Sequence, residues 1–263
     1  MKHDIGFVQL DVVNQVATIV LNDPAKLNCL SPDLSRDLLA ALCKVRELDS
    51  VSALVLTGSG RAFSAGADLR DPRMSDFSQP IDLGALVIDL YNRIVELLAD
   101  LRVPTLAAVN GVAAGAGANL ALACDIVLAR DSATFLQPFM RLGLTPDTGG
   151  TYILPKLVGL ARARALTMLA EPISATEAER IGMIWKAVAG ADWESMVAST
   201  ASKLARGPTD ALIQTRAALN SSWHNGLAAQ LHLEGELIVE RGLSADYKEG
   251  ATAFLEKREP SFM

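Results

Sequence analysis

Residues 104–122 read PTLAAVNGVAAGAGANLAL, and this stretch decides the fold class of the chain. The apolar run up to Val109 predicts a buried strand, which Asn110 and Gly111 close with a turn. The small residues from Val112 to Leu122 predict the start of a helix. A buried strand that leads directly into a helix is typical of a layered α/β protein.

Strand-like and helix-like segments also alternate on both sides of this stretch. The strand-like runs are residues 7–12, 16–21, 53–57, 125–129 and 183–188. The first two predict a hairpin. Ser31 and Pro32 have the pattern of a helix N-terminus, and residues 83–101 predict another helix. This alternation favours a mostly parallel α/β core.

Several amphipathic helices are indicated for the last quarter of the chain. We therefore predict two regions: an α/β core over residues 1–190 and a helical C-terminal subdomain over residues 191–263. The long helix-like runs without strand patterns begin close to Trp193, which places the boundary near residue 191.

Composition excludes several classes of function. A net charge of -6 argues against nucleic acid as the main partner, because nucleic-acid binding favours a basic face. Cys29, Cys43 and Cys124 have no CxxC spacing, so we expect neither a metal site nor a disulfide framework. The sequence has no apolar run of the ~20 residues that span a bilayer, and no signal-peptide pattern, so we expect a cytoplasmic protein without a membrane partner.

Two loops of small residues lie after predicted strands, at residues 64–68 and 114–118. Small side chains let a ligand approach the backbone N–H groups, and two such groups that converge on one oxygen form an oxyanion hole. Close packing alone also explains such clusters. A dinucleotide-binding loop does not fit, because the spacing G-x-G-x-x-L lacks the third small residue and no acidic residue follows at the required distance.

A third loop, residues 142–151, contains the acidic residue Asp147 between Pro146 and a Thr-Gly-Gly run. An aspartate in this context is commonly a turn residue or a helix cap. No histidine or serine near it completes a hydrolytic triad. His224 and His232 lie in predicted C-terminal helices, where we expect surface positions. From the residues alone, a structural and a catalytic role for Asp147 both stay open.

These three loops, in this order, resemble the enoyl-CoA hydratase/isomerase family, also called the crotonase family. The resemblance covers nearly the whole chain. Its motifs are residues 21–24, 27–28, 61–69, 108–111, 149–151, 249–250 and 254–258. It implies a crotonase-like layered core of repeated ββα turns with a helical C-terminal subdomain, and it implies acyl-CoA thioester chemistry.

The resemblance also implies roles for individual residues. The N–H groups of Ala67 and Ala116 would form the oxyanion hole. The two glutamates of the family's hydratases would fall at Asn119 and Phe139, so this sequence departs from the hydratase pattern there. Asp147 remains as the proton shuttle. Members with an aspartate in this context look like isomerases of ring-1,2-epoxyphenylacetyl-CoA, which also shift double bonds in unsaturated acyl-CoAs.

The same resemblance implies a coenzyme A site, with coenzyme A present as part of the substrate and no separate cofactor or metal. The implied substrate and coenzyme A contacts are Lys26, Leu27, Ala65, Gly66, Asp68, Leu69, Gly115, Asn119, Phe139, Phe254 and Lys257. A homotrimer or a dimer of trimers is usual in the family, with the last helix as a lid or subunit contact. Other family chemistries (hydratase, dienoyl isomerase, dehalogenase, thioesterase) and a non-catalytic acyl-CoA-binding role stay open.

Overall fold

The computed structural model describes residues 2–78 and 80–262. Within these residues the strands form two sheets, one large and one small. The strands are β1 (Lys2–Ile5), β2 (Val8–Val13), β3 (Val16–Leu21), β4 (Ala53–Gly58), β5 (Ala62–Ser64), β6 (Thr105–Val109), β7 (Val112–Ala114), β8 (Ile126–Arg130), β9 (Thr134–Leu136), β10 (Ile173–Ser174) and β11 (Lys186–Val188).

Helices cover the sheets and make up the C-terminal quarter of the chain. They are α1 (Pro32–Glu47), α2 (Pro72–Ser75), α3 (Leu83–Leu86), α4 (Arg93–Asp100), α5 (Ala116–Leu122), α6 (Gly150–Val158), α7 (Leu160–Leu169), α8 (Ala175–Arg180), α9 (Trp193–Ala205), α10 (Thr209–Ser221), α11 (Leu227–Gly242) and α12 (Ala245–Glu256). A π-helical turn, Val87–Asn92, joins α3 to α4.

The larger sheet has the strand order β1-β2-β3-β4-β6-β8-β11. It is antiparallel from β1 to β3 and parallel from β3 onward, so the predicted mostly parallel α/β core is confirmed. The predicted hairpin is also present. Its two-residue turn places Asn14 and Gln15 at positive φ.

The smaller sheet, in the order β10-β9-β7-β5, was not predicted. Its strands are two or three residues long, too short to give an alternating pattern. β5, β7 and β9 pair in parallel. Because parallel neighbours end at the same edge of a sheet, the segments after β5 and β7 lie side by side. This sheet therefore brings the two small-residue loops together.

Other local predictions were confirmed or corrected at their ends. The helix N-terminus at Ser31 is confirmed, because the Ser31 hydroxyl accepts a hydrogen bond from the Leu34 amide at 3.1 Å. The helix predicted over residues 83–101 is confirmed over residues 83–100, but it is not α-helical throughout, because residues 87–92 are π-helical. The strand predicted over residues 183–188 is limited to β11, at its C-terminal end.

The C-terminal helices attach to the core unevenly. Trp193 of α9 packs against the larger sheet, whereas α10 and α11 contain no buried residue among those described. Arg216 of α10 is partly buried and forms an ion pair with Asp125 at 3.1 Å. The division at residue 191 stays a prediction. None of the helices in the described part of the chain combines the length and apolarity needed to cross a membrane.

Candidate active site

The two small-residue loops and the turn before α6 meet at one cavity of about 540 Å³. Ala67 of the first loop, Ala116 of the second and Asp147 of the turn all line it. The structure thus brings together the three segments that stood out in the sequence.

The first loop follows β5 and lies against the second. Gly66 has a φ of 85°, and a β-carbon on it would lie 2.6 Å from the carbonyl oxygen of Ala114. Only glycine therefore fits here, both for backbone conformation and for space. Leu30 holds the loop from the other side, because its amide donates to the Gly66 carbonyl at 2.7 Å and it forms a parallel bridge with Ala67.

The second loop turns at Gly115, whose φ is 53° and whose amide donates to the carbonyl of Leu136 at 2.9 Å. Ala116 is the first residue of α5, where an amide has no partner within the helix. Within residues 2–78 and 80–262, the amides of Ala67 and Ala116 donate to no other group. Two unused N–H donors thus stand at the wall of one cavity, as an oxyanion hole requires.

Asp147 is the acidic residue of this cavity and is half-buried. Its carboxylate accepts a hydrogen bond from the Thr148 hydroxyl at 2.8 Å. Burial raises the pKa of Asp147 above its ordinary value, and the Thr148 hydrogen bond opposes this by lowering the pKa. A carboxylate with a raised pKa is a stronger base, which suits proton abstraction near neutral pH.

Comparison with known proteins establishes the family. The family model described as enoyl-CoA hydratase/isomerase matches residues 11–263. The chain belongs to the enoyl-CoA hydratase/isomerase family. It is 45% identical over 260 residues to 1,2-epoxyphenylacetyl-CoA isomerase of Escherichia coli K12, covering 97% of this chain and 98% of that protein.

Hydratase names stand beside the isomerase name among similar family members. The chain is 44% identical over 255 residues to a protein of Rhodobacter capsulatus named "Probable enoyl-CoA hydratase", covering 97% of each chain. A crystal structure of enoyl-CoA hydratase from Bacillus anthracis superimposes with a TM-score of 0.90 at 31% identity, covering 97% of this chain and 98% of that one. The hydratase/isomerase family and its fold are thereby established for this chain.

The two positions at which the family resemblance implies hydratase glutamates differ in their placement. Phe139 lines the cavity, and a β-carbon on Gly115 would lie 3.7 Å from the edge of its ring. Asn119 is fully buried and does not belong to the cavity wall. Its side-chain amide donates to the main-chain carbonyl of Asp147 at 2.8 Å. Neither side chain is a carboxylic acid, so neither can deliver a proton to substrate.

The predicted coenzyme A contacts from the first loop separate into two groups. Ala65, Gly66 and Leu69 line the cavity. Asp68 is buried and turns away, because its carboxylate bonds to the Arg70 amide at 3.1 Å and to the Lys26 ammonium at 3.0 Å. This ion pair raises the pKa of Lys26 through its hydrogen bond and charge. Asp68 therefore braces the loop.

The remaining predicted contacts lie away from the cavity wall. Lys26 and Leu27 form the turn beneath the first loop, where the Leu27 carbonyl accepts from the Ala65 amide at 3.0 Å. Phe254 and Lys257 are at the end of α12, and the Phe254 side chain is 82% exposed. Within this chain the last helix does not contribute to the cavity lining.

Part of the cavity wall was not predicted from the sequence. Residues between 74 and 91 supply it, and Tyr91 fixes their position through a hydrogen bond from its hydroxyl to the Leu30 carbonyl at 2.6 Å. These wall residues are Met74, Leu83, Gly84, Leu86, Val87, Ile88 and Tyr91. The apolar side chains in the first half of the predicted helix were the available signal. In the part of the chain that is described, no three His, Cys, Asp or Glu side chains cluster in a way that could hold a metal ion.

Proposed function

We propose that this family member is an acyl-CoA isomerase that acts on ring-epoxidised phenylacetyl-CoA, shifts the double bond of enoyl-CoAs, or does both. One observation carries the proposal: among the described residues that line the cavity, Asp147 is the only one with a carboxyl group. The E. coli relative named 1,2-epoxyphenylacetyl-CoA isomerase supports the choice of substrate class.

The oxyanion hole is the first element of the proposed mechanism. The thioester carbonyl oxygen accepts hydrogen bonds from the Ala67 and Ala116 amides. When a proton leaves the carbon next to this carbonyl, negative charge develops on the oxygen, and preorganised donors stabilise it. Loss of one such donor lowers kcat by about 10²–10³-fold in comparable sites.

Asp147 is the second element, as the proton shuttle. In a 3-enoyl-CoA, its carboxylate removes a proton from C2, and the electron pair of that C–H bond moves into a dienolate. The protonated Asp147 then returns the proton to C4, which leaves the double bond between C2 and C3. One carboxylate is sufficient because the reaction has no net proton demand, and no cofactor is required.

The acyl group occupies the apolar end of the cavity. Phe139, Leu144, Leu86 and Tyr91 present hydrocarbon surface there. The coenzyme A portion leaves along the loop of residues 65–69, with Lys26 and Leu27 at the base of that loop. A basic side chain at this position suits a phosphate-bearing ligand.

We also propose a homotrimer or a dimer of trimers. Large apolar side chains of α11, of α12 and of the turn between them face solvent in the single chain, among them Leu227, Ile238, Leu243 and Phe254. Exposed apolar surface of this extent is characteristic of protein–protein contacts. Phe254 and Lys257 would then approach the coenzyme A of a neighbouring subunit.

Hydration of 2-enoyl-CoAs is the second candidate function, and the relative named "Probable enoyl-CoA hydratase" favours it. Its chemistry fits this site less well. Addition of water uses a pair of groups that orient the water and deliver the proton. Asn119 and Phe139 occupy the positions aligned with that pair, which leaves Asp147 alone.

A substrate comparison with purified protein tests the proposal. Isomerisation of a 3-enoyl-CoA and hydration of crotonyl-CoA are followed separately. We expect hydration to be slower than isomerisation by at least about 10²-fold, the low end for the loss of a positioned acid–base group. Ring-epoxidised phenylacetyl-CoA is assayed in parallel to define the acyl group. Hydration at a rate comparable to isomerisation would reject the isomerase assignment.

A further inference from the structure

A buried chain of hydrogen bonds ends at the main-chain carbonyl of Asp147. The Gln137 side-chain amide donates to the Asn119 side-chain oxygen at 2.8 Å, and the Asn119 amide donates to the Asp147 carbonyl at 2.8 Å. Gln137 and Asn119 are 3% and 0% exposed. Neither side chain lines the cavity, so a direct contact with substrate does not explain them.

The donor-to-acceptor direction of these hydrogen bonds follows from the last acceptor, the Asp147 carbonyl. A carbonyl oxygen only accepts, so the Asn119 side chain must turn its NH₂ group toward Asp147 and its oxygen toward Gln137. Gln137 must then present its own NH₂ group, which leaves its Oε1 without a partner among the described residues. The Asp147 carbonyl therefore sets the orientation of both side-chain amides.

The turn that contains Asp147 and Thr148 has an unfavourable backbone conformation. Thr148 has a φ of 51°, which is unfavourable for a β-branched residue, and its side chain is buried. Gly150 donates to the same Asp147 carbonyl at 2.9 Å, and a β-carbon on it would lie only 2.3 Å from the Asn119 amide nitrogen. Asn119 is thus packed directly against this turn.

The same residues connect the base to the oxyanion loop. Leu136, next to Gln137, accepts from the Gly115 amide at 2.9 Å, and Gly115 precedes Ala116. The carboxylate of Asp147 and the amide of Ala116 are therefore held by neighbouring residues of one short segment. A displacement of about 1 Å between such groups can lower a rate about 10²-fold.

We infer that Asn119 and Gln137 are positioning residues that hold the Asp147 carboxylate at the reacting carbon by fixing its main-chain carbonyl. This inference rests on the proposed proton-shuttle role of Asp147. It assigns a structural task to Asn119, the position at which the family resemblance implies a hydratase glutamate.

Two variants test this inference, each with kcat and KM for 3-enoyl-CoA isomerisation. Asn119→Ala removes the donor to Asp147, and Gln137→Met removes the donor to Asn119 while keeping a similar length. We expect kcat to fall about 10–100-fold in Asn119→Ala and about 10-fold in Gln137→Met, with KM changed by less than about threefold. Val45→Ala, a buried change in α1, controls for destabilisation and should leave kcat unchanged.

The decisive measurement repeats Asn119→Ala in an Asp147→Asn background and follows exchange of the substrate C2 proton for deuterium. If Asn119 acts through Asp147, the added substitution changes the residual rate by less than about twofold. A loss as large as that in the wild-type background would overturn the inference, as would an unchanged kcat in both single variants. If Asn119→Ala does not fold by circular dichroism, Gln137→Met alone, and with Asp147→Asn, decides in the same way.

Failure of the proposed function gives a different result. If Asp147→Asn exchanges the C2 proton at the wild-type rate, the proton-shuttle role of Asp147 itself is wrong. If Asp147→Asn is inactive while Asn119→Ala and Gln137→Met are fully active, only the positioning role is wrong.

Discussion

Replacing Asp147 with asparagine is the most direct perturbation of the proposed mechanism. Asparagine keeps the size of the side chain, and its oxygen can still accept the Thr148 hydroxyl that bonds to Asp147 at 2.8 Å. It cannot accept a proton from the substrate. The cavity, the two proposed oxyanion donors and the proposed coenzyme A loop are unchanged, so the substitution isolates proton transfer.

The size of the effect follows from what else lines the cavity. Among the described lining residues, no other carboxylate and no histidine is present to replace Asp147. A positioned general base contributes about 10²–10⁴-fold, so kcat should fall by at least about 10², equivalent to about 3 kcal/mol in the activation barrier. Thioester affinity should change little, because it depends on groups outside the turn.

The thermal stability of Asp147→Asn provides a control, because we expect it to stay the same or rise while the activity falls. Burial raises the pKa of Asp147 in the folded protein, so the folded state binds more protons between the unfolded and folded pKa values. Stability therefore falls as pH rises through that interval and stays reduced above it. At neutral pH the ionised carboxylate costs stability, and Asp147→Asn should have an equal or higher Tm.

The assay is exchange of the C2 proton for deuterium, followed by mass spectrometry or NMR beside steady-state isomerisation. Both rates should fall together in Asp147→Asn, while the Tm is maintained. Exchange near the wild-type rate in the folded variant would show that another group is the base, and the reasoning from the cavity lining would be refuted.

Long elements of this fold were predictable because their patterns are repeated over many residues. The hairpin, the buried strands β4, β6 and β8, and helix α1 each have an apolar period or a cap that belongs to the local sequence. The smaller sheet was not predictable, since its two- and three-residue strands are stabilised by neighbours far along the chain. The π-helical turn at Val87–Asn92 has no signal in the apolar period that predicted a continuous helix.

In the site, likewise, the sequence indicated which residues are candidates but not which contacts they make. Ala67, Ala116 and Asp147 were selected from the sequence, and the structure places all three at one cavity. The proposed positioning role of Asn119 was not predictable, because it depends on a hydrogen bond to the Asp147 carbonyl, which lies 28 residues away along the chain. In the sequence, an asparagine at the position of a catalytic glutamate indicates only that an acid–base group is absent. The fold is needed to show which group the asparagine side chain bonds to.

Substitutions at two further positions address the donors around the reacting atoms. Ala116→Pro removes one of the two proposed oxyanion N–H donors and should lower kcat about 10²–10³-fold, whereas Ala116→Gly keeps the donor and should have little effect. Circular dichroism and coenzyme A affinity distinguish a lost donor from a misfolded loop. Thr148→Val keeps the branched shape but removes the hydroxyl whose hydrogen bond lowers the pKa of Asp147. Without that bond the carboxylate is less stabilised, so its pKa rises further, and the base is protonated at a higher pH. The acid limb of kcat/KM against pH should therefore move to higher pH in Thr148→Val and stay in place in Thr148→Ser, which retains the hydroxyl. A shift to lower pH in Thr148→Val would mean that the group controlling this limb is not Asp147.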